Sequence, residues 1–215
     1  MLDKYKLFPI GHTAYWVQFG TLHEKARRGW IEEAKIMIDI SRELGIKLLN
    51  FHFHIGYGRT SESTSDFMRY TKNFTESMSE LSNYAENQKL TLMLENIPIK
   101  LKEGKVITNY SFIIKEVPKL LVHFDIAHAF VEGGMTRIKD YIRDFSKEIV
   151  HIHISDNHGE KDEHLPLGDG IIDFIQVVRW LKEINYNSTI TFEVFTSKDD
   201  AVKSRNCFKE IWEKT

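Results

Sequence analysis

The chain has 215 residues, 42% of them hydrophobic, which is enough for one large core, so a single domain over residues 1–215 is expected. A formal net charge of -2 gives no overall basic field to hold nucleic acid, and the sole cysteine, Cys207, excludes an intramolecular disulfide and a cysteine-rich zinc site. Met1–Phe8 lacks the apolar run of a signal peptide and no apolar segment approaches membrane-spanning length, so the sequence reads as cytoplasmic, with no membrane contact.

A loose unit of strand followed by amphipathic helix recurs along the chain. His12–Phe19 is a short aromatic and β-branched run. Leu22–Leu44 then reads as a helix, with Trp30, Ile31, Ala34, Met37, Ile38 and Ser41 at helical spacing and Gly45 closing it. Ile46–His54 is the next strand. After a Gly-Tyr-Gly loop through Arg59, Thr64–Gln88 makes a second long helix, with Phe67, Tyr70, Phe74, Met78, Leu81 and Tyr84 on one stripe. Leu90–Glu95 is a strand, Thr108–Val117 a helix stopped by Pro118, Leu120–Asp125 a strand and Thr136–Glu148 a helix. Ile149–Ser155, Gly170–Ile184, Thr189–Phe195 and Asp199–Glu213 follow as strand, helix, strand and helix.

The densest chemistry lies in Val150–Phe174, where His151, His153, His158 and His164 stand beside Asp156 and Asp162 and the block ends in Gly168-Asp169-Gly170. Alternation along the strand puts His151 and His153 on the face opposite the isoleucines. Two imidazoles facing a core are costly unless something binds them, and an Asp-x-His pair follows at Asp162 and His164, so metal ligation is the better reading than a satisfied core histidine.

Six strands alternating with helices imply parallel pairing, in either a doubly wound sheet or a (β/α) barrel. The polar residues decide between the two. His54, Glu95, Asp125, His153 and Glu193 each fall at or near the C-terminal end of a strand, and a closed ring brings such ends to one place whereas an open sheet draws on the strands beside one crevice. The expected fold is therefore α/β, a (β/α) TIM-type barrel incomplete at the N-terminus, with six of eight units.

The strand ends read NFHFHIG (50–56), LMLENIP (92–98), VHFDIAHAF (122–130), HIHISDN (151–157) and TFEVF (191–195). In this ordered set the chain resembles the xylose isomerase-like barrel superfamily, from about Gly11 to its end. That superfamily holds sugar isomerases and epimerases together with abasic-site nucleases of the endonuclease IV type. Carried over position by position, the resemblance implies a metal tetrad of Glu95, Asp125, His153 and Glu193. Three carboxylates and an imidazole suit one divalent ion such as manganese, magnesium, zinc or iron. The bland alternative has these carboxylates capping helices or paired with lysines. Endonuclease IV relatives hold three zinc ions, and His12, His54, His128, Asp162 and His164 match the added ligand positions. His52, His123 and His151 lie one pleat deeper and read as inner-layer or supporting residues.

The resemblance implies, first, a metal-dependent isomerase or epimerase acting on a small sugar or sugar phosphate. Glu95 and Glu193 would serve as ligands and general acid/base, His54 and His128 would bind hydroxyls, and Gly168 and Gly170, opening a helix, would hold a phosphate. Many epimerase relatives carry an arginine shortly after the histidine matched by His153. Gly159, Glu160 and Lys161 stand in that region here, which weighs against a ketose 3-epimerase in particular. The second reading is an endonuclease IV-type phosphodiesterase with up to three zinc ions, gripping DNA through Tyr57, Arg59, Lys100, Lys102 and Lys105. The third is a non-catalytic metal-binding barrel. With two β/α units lacking, edge strands invite self-association across the gap.

Overall fold

The computed structural model describes residues 4, 7–54, 64–99 and 105–215. These form two compact units, one of residues up to Glu95 with Val106–Leu121, the other of Asn96–Lys105 with Val122–Thr215.

The first unit begins with β1 (Ile10–His12), three residues rather than the eight-residue run expected from the sequence. Aromatic and β-branched character extends to Phe19, but the ladder ends at His12, after which the backbone N–H and the hydroxyl of Thr13 both donate to the carbonyl of Asn50. Helix α1 (Glu24–Glu43) buries Ile31, Ala34, Ile38 and Ser41, spaced three or four residues apart on one stripe. It stops because Gly45 takes a positive φ of 75°, letting Ile46 N–H reach back to the Ser41 carbonyl at 2.9 Å. Strand β2 (Leu48–His52) and helix α2 (Thr64–Asn87) follow, the helix burying Phe74, Met78, Leu81 and Ala85 completely. Strand β3 (Thr91–Glu95) and helix α3 (Lys105–Glu116), which buries Val106, Tyr110 and Ile113, complete the unit's elements.

Parallel pairing β1–β2–β3 sets His12 opposite Asn50 and His52 opposite Glu95, so the register levels the polar residues at the strand ends. Phe19, Phe51, Phe53 and Phe74 pack in edge-to-face contacts, with ring centroids 5.2 to 5.9 Å apart.

The second unit contains most of β4 (Leu121–Asp125), then α4 (Ile126–Asp144), β5 (Ile149–Ile154), α5 (Phe174–Glu183), β6 (Thr189–Phe192) and α6 (Lys198–Lys214). Parallel ladders join β4 to β5 and β5 to β6, placing Asp125 opposite His153 and His153 opposite Thr191. Helix α4 starts ten residues before the expected Thr136. Asp125 caps it, its Oδ1 accepting from His128 N–H at 2.8 Å. Gly133 and Gly134 leave helical geometry and break α4 in two, so the sequence signal marked only the second piece. Helix α5 likewise starts at Phe174, not Gly170, with Asp173 as its cap. Among the described residues no helix is long and apolar enough to cross a membrane.

Candidate functional site

In the first unit the polar strand ends converge on one carboxylate. Glu95 is 1% exposed, and its Oε2 accepts from Asn50 Nδ2 at 2.5 Å and lies 3.1 Å from His12 Nε2 and 3.3 Å from His52 Nε2. Two imidazoles and an amide thus stand against this buried carboxylate. His54 Nε2 is hydrogen-bonded to the backbone carbonyl of Tyr15, a contact that requires Nε2–H. Burial pushes the His54 pKa down, against the opposing pull of that carbonyl. Tyr15 also lays its ring edge against His52 and His54, with centroids 5.1 and 4.6 Å apart. Tyr110, fully buried, donates to the Leu94 carbonyl at 2.5 Å. Burial raises its pKa well above normal and the charge of Glu95 adds to that.

The second unit gathers six of the expected residues. His153 Nδ1 is 3.0 Å from Glu193 Oε2 and 3.8 Å from Asp125 Oδ2, and the ligand atoms of these three lie within 4.8 Å of one another. Two ligands each about 2.1 Å from one ion stand up to roughly 4 Å apart, so both distances suit a shared divalent cation. Asp125 thus caps the helix through Oδ1 while its Oδ2 faces His153.

A second cluster adjoins it. Asp162 Oδ2 lies 3.0 Å from His128 Nε2 and 2.9 Å from His164 Nε2, and His164 Nδ1 is 3.8 Å from Glu193 Oε2. Burial acts to raise the Asp162 pKa, yet the hydrogen bonds and charges of the two histidines hold it well below the usual carboxylate range. His164 moves the other way. Burial opposes its protonation, but Asp162, with Glu193 and Asp125 behind it, raises its pKa above the ordinary value.

Deeper in this unit, His123 and His151 form a buried cluster with His153 in tilted and edge-to-face contacts, ring centroids 4.0 to 5.2 Å apart. His151 is held by two threonine hydroxyls, Nδ1 to Thr189 at 2.8 Å and Nε2 to Thr191 at 3.2 Å.

The expected phosphate cradle at Gly168 and Gly170 is overturned. Gly168 N–H donates to Asp156 Oδ2 at 2.9 Å, and the same buried carboxylate accepts from Asn157 N–H and Ile172 N–H. A carboxylate already fills the nest, and its charge repels an anion. Of the residues assigned to a DNA grip, Tyr57, Arg59, Lys100 and Lys102 lie outside the described residues, and Lys105 is described only as the start of α3.

Sequence reasoning assigned no role to the amides and named Asp156 without seeing it as the loop anchor. Asn50, Asn96, Asp156 and Asn157 are all fully or almost fully buried: Asn50 bonds Glu95, Asn96 bonds Asp125, Asp156 accepts from Ile172 N–H, and Asn157 donates to the Ala127 carbonyl and accepts from Gly159 N–H. A polar residue inside an otherwise apolar strand run, as in LLNFH, was the available signal.

Parallel strand–helix units with carboxylates and imidazoles at the strand ends define an α/β protein of the TIM-barrel class. Residues 1–211 match the family described as xylose isomerase-like TIM barrel, and the chain belongs to it. Among the described residues there are six strand–helix units of that barrel, which is incomplete in this chain. An uncharacterised protein of Methanocaldococcus jannaschii is 30% identical over 98% of this chain and 72% of its own length. The fructoselysine 3-epimerase of Shigella flexneri is 25% identical over 91% of this chain and 71% of its own. Among solved structures, a D-tagatose 3-epimerase-like protein superposes with a TM-score of 0.84 at 27% identity, covering 99% of this chain and 80% of that one.

Proposed function

We propose that the protein is a divalent-metal-dependent isomerase or epimerase of a small sugar or sugar phosphate. The observation that carries this reading is the meeting of Asp125, His153 and Glu193 at the ends of successive strands, with interatomic distances suited to one ion. The sugar epimerases among the relatives support it. Glu95 is the fourth ligand on the family resemblance, and it is joined by one peptide bond to Asn96, whose amide is bonded to Asp125. Two oxygen donors and an imidazole nitrogen fit manganese, magnesium or zinc. Such an ion, when bound, polarises a sugar carbonyl and acidifies the neighbouring C–H.

The chain's own groups handle the proton. Glu193, its Oε2 hydrogen-bonded to His153, is one acid/base carboxylate, and Glu95, backed by Asn50, His12 and His52, is the other. His54 and His128 bind substrate hydroxyls in this reading. Metal analysis with a sugar and sugar-phosphate panel tests it. About one ion per chain with metal-dependent isomerisation supports the proposal; an inert protein without metal, despite correct folding, removes it in favour of a non-catalytic barrel.

The cluster of His128, Asp162 and His164 favours one second reading, the multi-zinc phosphodiesterase. Three zinc ions per chain and nicking of abasic DNA would replace the first reading with it. Self-association belongs to either reading. Among the described residues β1 has a ladder only with β2 and β6 only with β5, and exposed edges of this kind recruit further strands. Light scattering at high concentration checks this: a strict monomer removes it. A cytoplasmic location goes with the same reading, and cell fractionation tests it.

A further inference from the structure

Asn96 follows β3, is fully buried, and belongs to the second unit. Its side chain forms a two-bond pairing with the backbone of Asp125: Nδ2 donates to the Asp125 carbonyl at 2.9 Å, and Asp125 N–H donates to Oδ1 at 2.8 Å. The amide thereby does what a neighbouring peptide group would do, holding the last residue of β4 from both sides. The main-chain carbonyl of Asn96 accepts a third hydrogen bond, from His128 Nδ1 at 2.7 Å. A carbonyl has no hydrogen to give, so the proton sits on Nδ1. The neutral imidazole then carries its lone pair on Nε2, the atom facing Asp162.

We propose that Asn96 is a positioning residue for the candidate metal centre: it fixes where Asp125 presents its carboxylate and which nitrogen of His128 carries the proton, and so sets the affinity for a divalent cation. The affinity half rests on the metal-holding reading above, whereas the tautomer half stands on the hydrogen bonds alone. The requirement falls on asparagine itself. An aspartate would face the Asp125 carbonyl with a second acceptor and a second charge, and an alanine leaves both backbone groups of Asp125 without their side-chain partner.

The test uses the full chain, labelled with 15N-histidine and stripped by chelator. Long-range 1H–15N spectra assign the tautomer of His128, and competition titration measures affinity for zinc, in the native protein and in Asn96→Asp and Asn96→Ala. The native protein is expected to show His128 as the Nδ1–H tautomer. Both variants are expected to show a mixture of tautomers and a loss of zinc affinity of about 10–100-fold, the usual effect of removing a supporting hydrogen bond. A native His128 in the Nε2–H form overturns the proposal without recourse to any variant. So does a folded variant that keeps both the native tautomer and the native affinity. A native protein that takes up no zinc, manganese or magnesium overturns the affinity half together with the reading it rests on, while the spectra still decide the tautomer half.

Discussion

His128 and His164 aim their Nε2 atoms at the same oxygen, Asp162 Oδ2, at 3.0 and 2.9 Å. Each ring also turns Nδ1 to a backbone carbonyl, of Asn96 at 2.7 Å and of Glu193 at 3.2 Å, so both Nδ1 atoms donate. With the Nδ1 positions protonated, two neutral rings would confront a carboxylate with two lone pairs. The arrangement is stable only with added positive charge, from a proton or from a cation.

That conflict gives a pH signature in chelator-treated protein. The His164 pKa is raised above its ordinary 6.5, so its contribution is complete below that value and lost as pH rises through the folded-state pKa. The Asp162 pKa is depressed below its ordinary 3.8, so its contribution is complete above that value and lost in stronger acid. Asp162→Asn is therefore expected to destabilise the metal-free protein most between those two values, by about 1–3 kcal/mol. The gap narrows as pH climbs past the raised His164 pKa. Thermal melts across pH check this, and a gap independent of pH would show that the pair carries no charge coupling.

Gly170 is the turn residue where space decides. A Cβ there would stand 2.5 and 2.6 Å from the backbone O and N of Asn157, and closer still to Asp156 Oδ1. Backbone cannot yield as a flexible side chain can, so Gly170→Ala is expected to cost about 1–3 kcal/mol. It should also loosen the loop that Asp156 ties to Gly168 and Ile172. Faster limited proteolysis between Asn157 and Leu167, alongside a lowered Tm, is the expected result.

The strand ends are legible in the sequence and the role of the Gly168–Gly170 turn is not. Strand ends announce themselves through two independent signals, an apolar run and a terminal charge, as in LMLE and VHFD, and parallel register then brings such ends level. A Gly-Asp-Gly turn carries one signal, local conformational freedom, and that freedom serves a carboxylate twelve residues back as readily as a phosphate. The early start of α4 is hidden for a similar reason: Asp125 is strand terminus and helix cap at once, and Gly133-Gly134 interrupts the 3.6-residue period. Asn96 was invisible because its partners are backbone atoms, which leave no trace in side-chain patterns.

Away from the site, Glu80 joins α1 and α2 through a bidentate pair with Arg28, at 2.5 and 3.0 Å, and a contact to Lys35 at 2.9 Å. The Arg28 hydrogen bond is the main cause holding the Glu80 pKa at about 2, with burial opposing and Lys35 assisting. A depressed carboxylate pKa contributes stability above the ordinary 4.5 that is lost as pH falls toward 2. Because these groups are solvent-accessible, Glu80→Gln is expected to cost no more than about 1 kcal/mol at neutral pH. The difference from native should fade as pH falls through about 2, and 1 M salt should shrink it. Melts in acid and in high salt measure both.

Asp125 does two jobs with two oxygens, and substitution can separate them. Oδ1 caps α4 by accepting from His128 N–H at 2.8 Å, while Oδ2 stands 3.8 Å from His153 Nδ1. Asparagine caps helices as well as aspartate does, but it brings no charge and binds divalent ions poorly. Asp125→Asn should therefore melt close to native in chelator yet lose the rise in Tm that a saturating ion gives the native protein. Asp125→Ala should lose the ion response and about 1 kcal/mol of capping energy as well. An ion that stabilises only the folded state raises its stability by RT ln(1 + [L]/Kd), so the size of the lost shift reports the lost affinity directly. If Asp125→Asn keeps the full ion-dependent shift, Asp125 is a cap and nothing more, and the ion is held elsewhere or not at all.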